Sequence, residues 1–152
     1  MIYRSPFTAA VLDACRSLGK PVGDADVPEI AYGWDGQPSS PGSSFTPYLV
    51  VYPQAATVSS GPIASPSADW QLPYVLTSYG ATREQCEWLA DRARNAIRSL
   101  KDITMAGGDG QYTVIKAGTA SIGTVSRQDV TDPPFFAQTD TVVVWVSKEL
   151  GA

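Results

Sequence analysis

The chain has 152 residues, one domain's worth, with 43% apolar and 17% charged residues and a net charge of −4. That much apolar content excludes a disordered chain, and the sparse charge predicts that part of the surface turns away from water in the working state. The acidic balance argues against a dedicated nucleic-acid binder, and the absence of histidine removes the usual general base, the Ser–His and Cys–His pairs and most transition-metal sites.

Ser5-Pro6 predicts a helix start, with serine as cap and proline at the first helical position. Phe7, Val11, Leu12, Cys15 and Leu18 recur at helical spacing up to Gly19. No secretory signal is expected at the N-terminus, and no stretch approaches the ~20 apolar residues of a membrane span. From about 19 to 47 the chain is rich in glycine, proline and serine and reads as one long variable loop. Its charge is one-sided: Asp24, Asp26, Glu29 and Asp35 face only Lys20, and Trp34-Asp35-Gly36 reads as a turn. The acidic run lacks the pattern of a calcium loop, so a solvated acidic loop is expected.

Tyr48 to Tyr52 predicts a strand apolar on both faces. A second long loop covers about 54 to 69, with a short arm around Thr57-Val58, and Gln71 to Tyr79 predicts the next strand. Thr82 with Gln85 forms a capping-box pattern opening a helix to about Lys101. Cys86, Leu89, Ala90, Ala93, Ile97 and Leu100 make its apolar stripe, while Arg94, Arg98 and Lys101 complement the helix dipole. Ala106 to Gly110 is a turn after a helix and before a strand, the wrong context for a phosphate-binding loop. Tyr112 to Ala117 and Ser121 to about Ser126 predict two strands separated by Gly118. Asp132-Pro133-Pro134-Phe135-Phe136 reads as an apolar-tipped loop, and Thr139 to Ser147 as the last strand. In that strand Val142, Val144 and Val146 face one way and Thr141, Val143 and Trp145 the other.

The expected fold class is therefore α+β: a single domain over 1–152, with a mostly antiparallel sheet of about four to five strands and two helices on one face. Two helices cover one face only, so either the long loops or another subunit must bury the second. Cys15 and Cys86 fall on apolar helix faces and read as buried thiols. Trp88 is out of place, projecting away from the Leu89–Ala93–Ile97 stripe. Either the 54–69 loop folds over it or it is a subunit contact. Gly36–Ser44 and part of 54–69 are expected to be mobile in an isolated subunit and ordered in an assembly.

Five segments together resemble the tail terminator (tail completion) proteins of long-tailed bacteriophages, in particular those infecting actinobacteria. They are Pro47–Pro53, Gly61-Pro62-Ile63-Ala64 with Ala68-Asp69, Leu72–Gly80, Thr82–Arg94 and Asp132–Asp140. The Thr-Arg-Glu-Gln…Trp-Leu-Ala-Asp-Arg helix is the most specific of them. The resemblance implies a non-enzymatic virion protein of the tail neck, made in the host cytoplasm. It implies a ring, typically of six subunits, that caps the head-proximal end of the tail tube. Such a ring ends tube polymerisation and joins tail to head, and genomic DNA passes through it without sequence-specific binding. Its expected partners are further copies of itself, the tail tube protein and a head-completion or connector protein, with no membrane. No catalytic residue, cofactor or metal is expected. The candidate contact residues are Trp88, Tyr48, Val50, Val143, Trp145, Phe135 and Phe136. Another neck or connector protein and a small cytosolic binding module are the alternatives.

Overall fold

A computed structural model of the chain describes residues 2–38, 41–58 and 69–149. Helix α1 (Ser5–Arg16) has Arg4, not Ser5, at its cap position, with no side-chain cap bond, and Pro6 lies in the first turn. Phe7, Val11, Leu12 and Cys15 form its buried stripe, and Gly19, at φ 77°, turns the chain out of the helix. The Arg4 guanidinium donates to the carbonyls of Gln54 and Pro73 and lies 4.5 Å above the Tyr74 ring centroid, fastening the helix start to the sheet.

Helix α2 (Arg83–Arg98) follows its capping signal closely. Thr82 Oγ1 accepts the Gln85 N–H at 3.1 Å, and Gln85 Oε1 accepts the Ala81 N–H at 2.7 Å, one residue before the usual return bond. All six residues of the expected stripe, through Leu100, are buried. The chain enters α2 through a tight junction at Gly80, where a Cβ would stand 2.6 Å from the Cys86 backbone nitrogen.

The strands are β1 (Val22–Asp24), β2 (Gly33–Trp34), β3 (Phe45–Thr46), β4 (Tyr48–Pro53), β5 (Thr57–Val58), β6 (Asp69–Gly80), β7 (Thr104–Ala106), β8 (Gln111–Ser121), β9 (Ser126–Gln128) and β10 (Phe135–Lys148). Eight of them form one sheet in the order β1-β4-β6-β10-β8-β7, with β5 added beside β6 and β9 beside β10; β2 and β3 form a separate ribbon. The long strands β6 and β10 pair antiparallel from Phe136 opposite Gly80 to Ser147 opposite Asp69 and form the spine of the sheet.

This corrects the expected fold class. The protein is mostly β, with 43% strand and 21% helix among the described residues, and its large curled sheet is mixed and eight-stranded, not a mostly antiparallel sheet of four to five strands. The differences have local causes. The 19–47 segment supplies β1, which pairs parallel with β4 through Val22 opposite Leu49, a long-range pairing that leaves no periodic signal in three residues. Gly118 does not end its strand: β8 runs on to Ser121, absorbing the mismatch in irregularities opposite Thr141/Val142 and Trp145/Val146. Phe135 and Phe136, read as a loop because two prolines precede them, open β10 and pair with β9.

Both helices pack on the same face of the sheet. The core joins Phe7, Val11 and Leu12 of α1 and Leu89, Ala93 and Ile97 of α2 to Leu49, Val51, Leu72, Tyr74, Leu76, Val114, Val142, Val144 and Val146. Every second residue of β4, β6 and β10 therefore belongs to this aliphatic side, and the alternate residues form the second face.

Candidate interaction surfaces

The second face is closed at one end by the chain's own aromatic residues. Tyr48 and Tyr79 are cross-strand partners with stacked rings, 4.4 Å between centroids. The β2–β3 ribbon lies over them. Tyr32 meets Tyr48 at 5.0 Å, Trp34 meets Phe45 at 5.3 Å, and Phe45 stacks on Phe135 at 6.1 Å. The ribbon is held at its mouth by the Asp35 N–H donating to the Ser44 carbonyl at 2.8 Å, so the expected Trp34-Asp35-Gly36 turn begins a hairpin. Burial, then the phenols of Tyr79, Tyr32 and Tyr52, push the Tyr48 hydroxyl up to about 12. Among the described residues Trp34 Nε1 is buried with no acceptor, an open valence inside this cluster.

Farther along the same face the cover thins. Thr77 and Thr139 hydroxyls face each other at 3.3 Å, and beyond them lie half-buried Val75, Thr141 and Trp145. Lys116 Nζ sits 4.7 Å from the Trp145 ring centroid.

The structure separates the seven candidate contact residues. Tyr48, Val50 and Val143 are buried within the subunit; Trp145, Phe135 and Phe136 are half-buried. Only Trp88 is well exposed, at 41%. Its indole lies under the Arg92 guanidinium, 4.8 Å from the ring centroid, and lines a surface groove of about 360 Å3 with Leu18, Asp91, Asn95 and Ala96. No residue of 54–58 reaches that groove. Residues 59–68, with the Gly61–Ala64 motif and most of the loop expected to be mobile, lie outside the described residues, as do 39 and 40.

Sequence reasoning missed a buried charge pair. Asp140, on the helix-side face of β10, is 1% exposed; its carboxylate accepts from Arg94 Nη1 at 2.6 Å, from the Gly123 N–H at 2.9 Å and from Gln138 Nε2 at 3.0 Å. Arg94 thus serves the sheet as well as the helix end, pairing Asp91 on its solvent side. The bond to Gly123 pins the turn after β8 against β10, where a Cβ on Gly123 would stand 2.1 Å from the Thr139 carbonyl oxygen. An aspartate in the middle of an apolar strand was the available signal.

Neither cysteine is set up for chemistry: burial pushes both thiols up to about 12. A larger cleft, about 1070 Å3, runs along residues 19–31 and is lined by Arg16, Lys20, Asp24, Asp26 and Glu29 among others. Among the described residues no helix is long and apolar enough to cross a membrane, and no group of three or more cysteine, aspartate or glutamate side chains is placed to hold a metal.

No protein-family model matches the sequence, and neither does any curated protein. Solved structures do match in fold. One, known by a sequence identifier alone, covers 98% of this chain and 94% of its own, with a TM-score of 0.51 and 15% identity. At that identity the likeness is one of fold alone, with a protein of almost the same extent.

Proposed function

We propose that the protein is a structural ring subunit of the tail-terminator type, which caps the head-proximal end of a phage tail tube and joins the tail to the head. The observation that supports this most is where the resembling segments fall. Pro47–Pro53 is β4 and its preceding residue, Leu72–Gly80 is the body of β6, Thr82–Arg94 is the cap and first turns of α2, and Asp132–Asp140 leads into and opens β10. Four of the five segments thus lie on or lead into elements that build the core and the sheet spine, and Gly61–Ala64 with Ala68 lies outside the described residues. The sheet also offers different surfaces at its two edges, as a head-to-tail ring needs. The acidic balance suits a conduit that must not hold a passing phosphate backbone.

The direct test is tube polymerisation. Purified tail tube protein from the same phage, mixed with this chain, is expected to give tubes with a ring at one end and arrested growth, seen in negative stain. Tubes that grow to the same length with and without the chain, with bare ends, would remove the reading.

The 19–31 cleft supports a second reading, a small binding module, since convergent polar groups line a concavity. A monomer at all concentrations that binds a small ligand there would favour it.

A further inference from the structure

We infer that the 19–31 cleft is a docking groove for an extended, basic segment of a partner protein, which adds as a strand to the open edge of β1. This goes beyond the ring reading and does not depend on it. β1 ends the sheet on its side, and among the described residues no strand lies outside it. Its parallel ladder with β4 uses alternate residues: the Leu49 N–H donates to the Pro21 carbonyl at 3.0 Å, and the Ala25 N–H to the Val51 carbonyl at 2.8 Å. The backbone groups of Val22 and Asp24 therefore point the other way, out of the sheet, and no loop or side chain among the described residues bonds to them. Their complement is another extended backbone.

This edge opens into a concavity of about 1070 Å3, at the top of the range for small-molecule sites. One wall is the end of α1, with Arg16 and Lys20; the other is the chain leaving β1. Ala25, at φ 55°, turns that chain back, and the Asp26 carbonyl crosses the face of β1 at Gly23, where a Cβ would stand 1.8 Å from it. The wall thus rises from the face of the strand and leaves its edge open. Val27 and Ile30 stand on this wall with 48% and 74% of their surface exposed.

Charge selects the occupant. Asp24, Asp26 and Glu29 line the cleft, and none has a cationic partner among the described residues. The two cations are placed otherwise. Arg16 reaches Asp13 at 3.9 Å, and Lys20 stands just past the last turn of α1, where the helix carbonyls favour positive charge. The unmet charges are therefore carboxylates, and Asp24 is on the edge strand itself. A partner strand meets this edge best with lysine or arginine beside Asp24 and aliphatic residues against Val27 and Ile30. Asp24 and the Gly23 face lie on opposite sides of the strand, so the matching sequence alternates basic and aliphatic residues.

The probe is a fluorescein-labelled peptide, Lys-Val-Lys-Val-Lys-Val-Lys, titrated against the full chain by anisotropy. Saturable binding is expected, with slowed hydrogen exchange at the Val22 and Asp24 amides. Methylating the peptide nitrogens of all valines, or of all lysines, blocks one of two alternate sets; one set should weaken binding at least ~tenfold and the other far less. Asp24 is exposed, so Asp24→Lys should keep the wild-type thermal midpoint and also weaken binding at least ~tenfold. No saturable binding, equal binding of a peptide with glutamate in place of lysine, or equal effects of the two methylated sets would overturn the inference. Full displacement by lysine amide, with no protection at Val22 and Asp24, would show a site for a small cation; that overturns strand addition and keeps the cleft as a binding site. None of these outcomes bears on ring formation, so the ring reading stands or falls separately.

Discussion

The two faces of the sheet are built from alternate residues of the same strands, yet they are closed in different ways. The helix side is aliphatic and sealed: Leu72, Leu76, Val142 and Val146 meet α1 and α2 with almost no exposure. The other side relies on rings from a two-residue ribbon and thins toward Val75 and Trp145. The first face is therefore where subunit stability resides. The second, with the open edges beside it, has surface left for other molecules, and substitutions on the two sides should separate stability from assembly.

The largest effect is expected where charge is sealed under α2. Asp140→Ala leaves Arg94 without its buried partner and frees the Gly123 turn, a loss of about 3–5 kcal/mol, large against a typical domain stability of ~5–15 kcal/mol. Chemical denaturation at neutral pH measures it, and an effect below about 1 kcal/mol would show that the pair is solvated. Leu89→Ala, in the middle of the aliphatic face, should cost about 2–5 kcal/mol with an unchanged denaturant slope.

On the second face the effects should be smaller. Phe45 is half-buried, so Phe45→Ala should cost the isolated subunit about 1 kcal/mol, roughly half of a fully buried ring's transfer energy, while raising hydrogen exchange at Tyr48 and Tyr79. A loss as large as that of Leu89→Ala would erase the distinction between the faces.

Alkaline pH probes both faces together. The thiols of Cys15 and Cys86 and the phenol of Tyr48 are raised from 9.0, 9.0 and 10.0 to about 12 in the folded state. Folding therefore favours their neutral forms. That contribution is complete below about pH 9 and is lost as pH climbs toward 12, as the denatured chain ionises first. Thermal midpoints should be flat up to pH 8.5 and then fall. The smallest change in subunit stability is expected for Trp88→Ala, within about 0.5–1 kcal/mol, because only the Arg92 stacking is lost. If the groove is a subunit contact, assembly should weaken far more than the melting temperature moves.

Much of the helix side was legible in the sequence. The α2 stripe, its cap, the two-faced strand at Tyr48 and the alternation of Val142 to Val146 all come from local spacing, and each reappears in the structure. The unread parts depend on partners distant in sequence. β1 is three residues with a glycine at its centre, and its parallel pairing with β4 has no local signature. The β2–β3 ribbon is two residues per strand inside a Gly/Pro-rich segment, so Trp34 and Phe45 looked like loop residues and not like the cover of Tyr48. Of the seven candidate contact residues, Tyr48, Val50 and Val143 stand out in the sequence only by apolar character, which cannot distinguish a face covered by a neighbour from one covered by the chain's own loop. Ile115 and Ile122, which are exposed, carried no sequence mark because exposure depends on where neighbouring strands stop.

The mass of the purified chain as a function of concentration tests the ring reading most directly. Native mass spectrometry or light scattering, with tail tube added in a parallel series, is expected to show closed oligomers of one size, typically six subunits, with no even-numbered ladder built on a stable dimer. A strictly monomeric chain at every concentration, which also leaves tube ends bare, would contradict it.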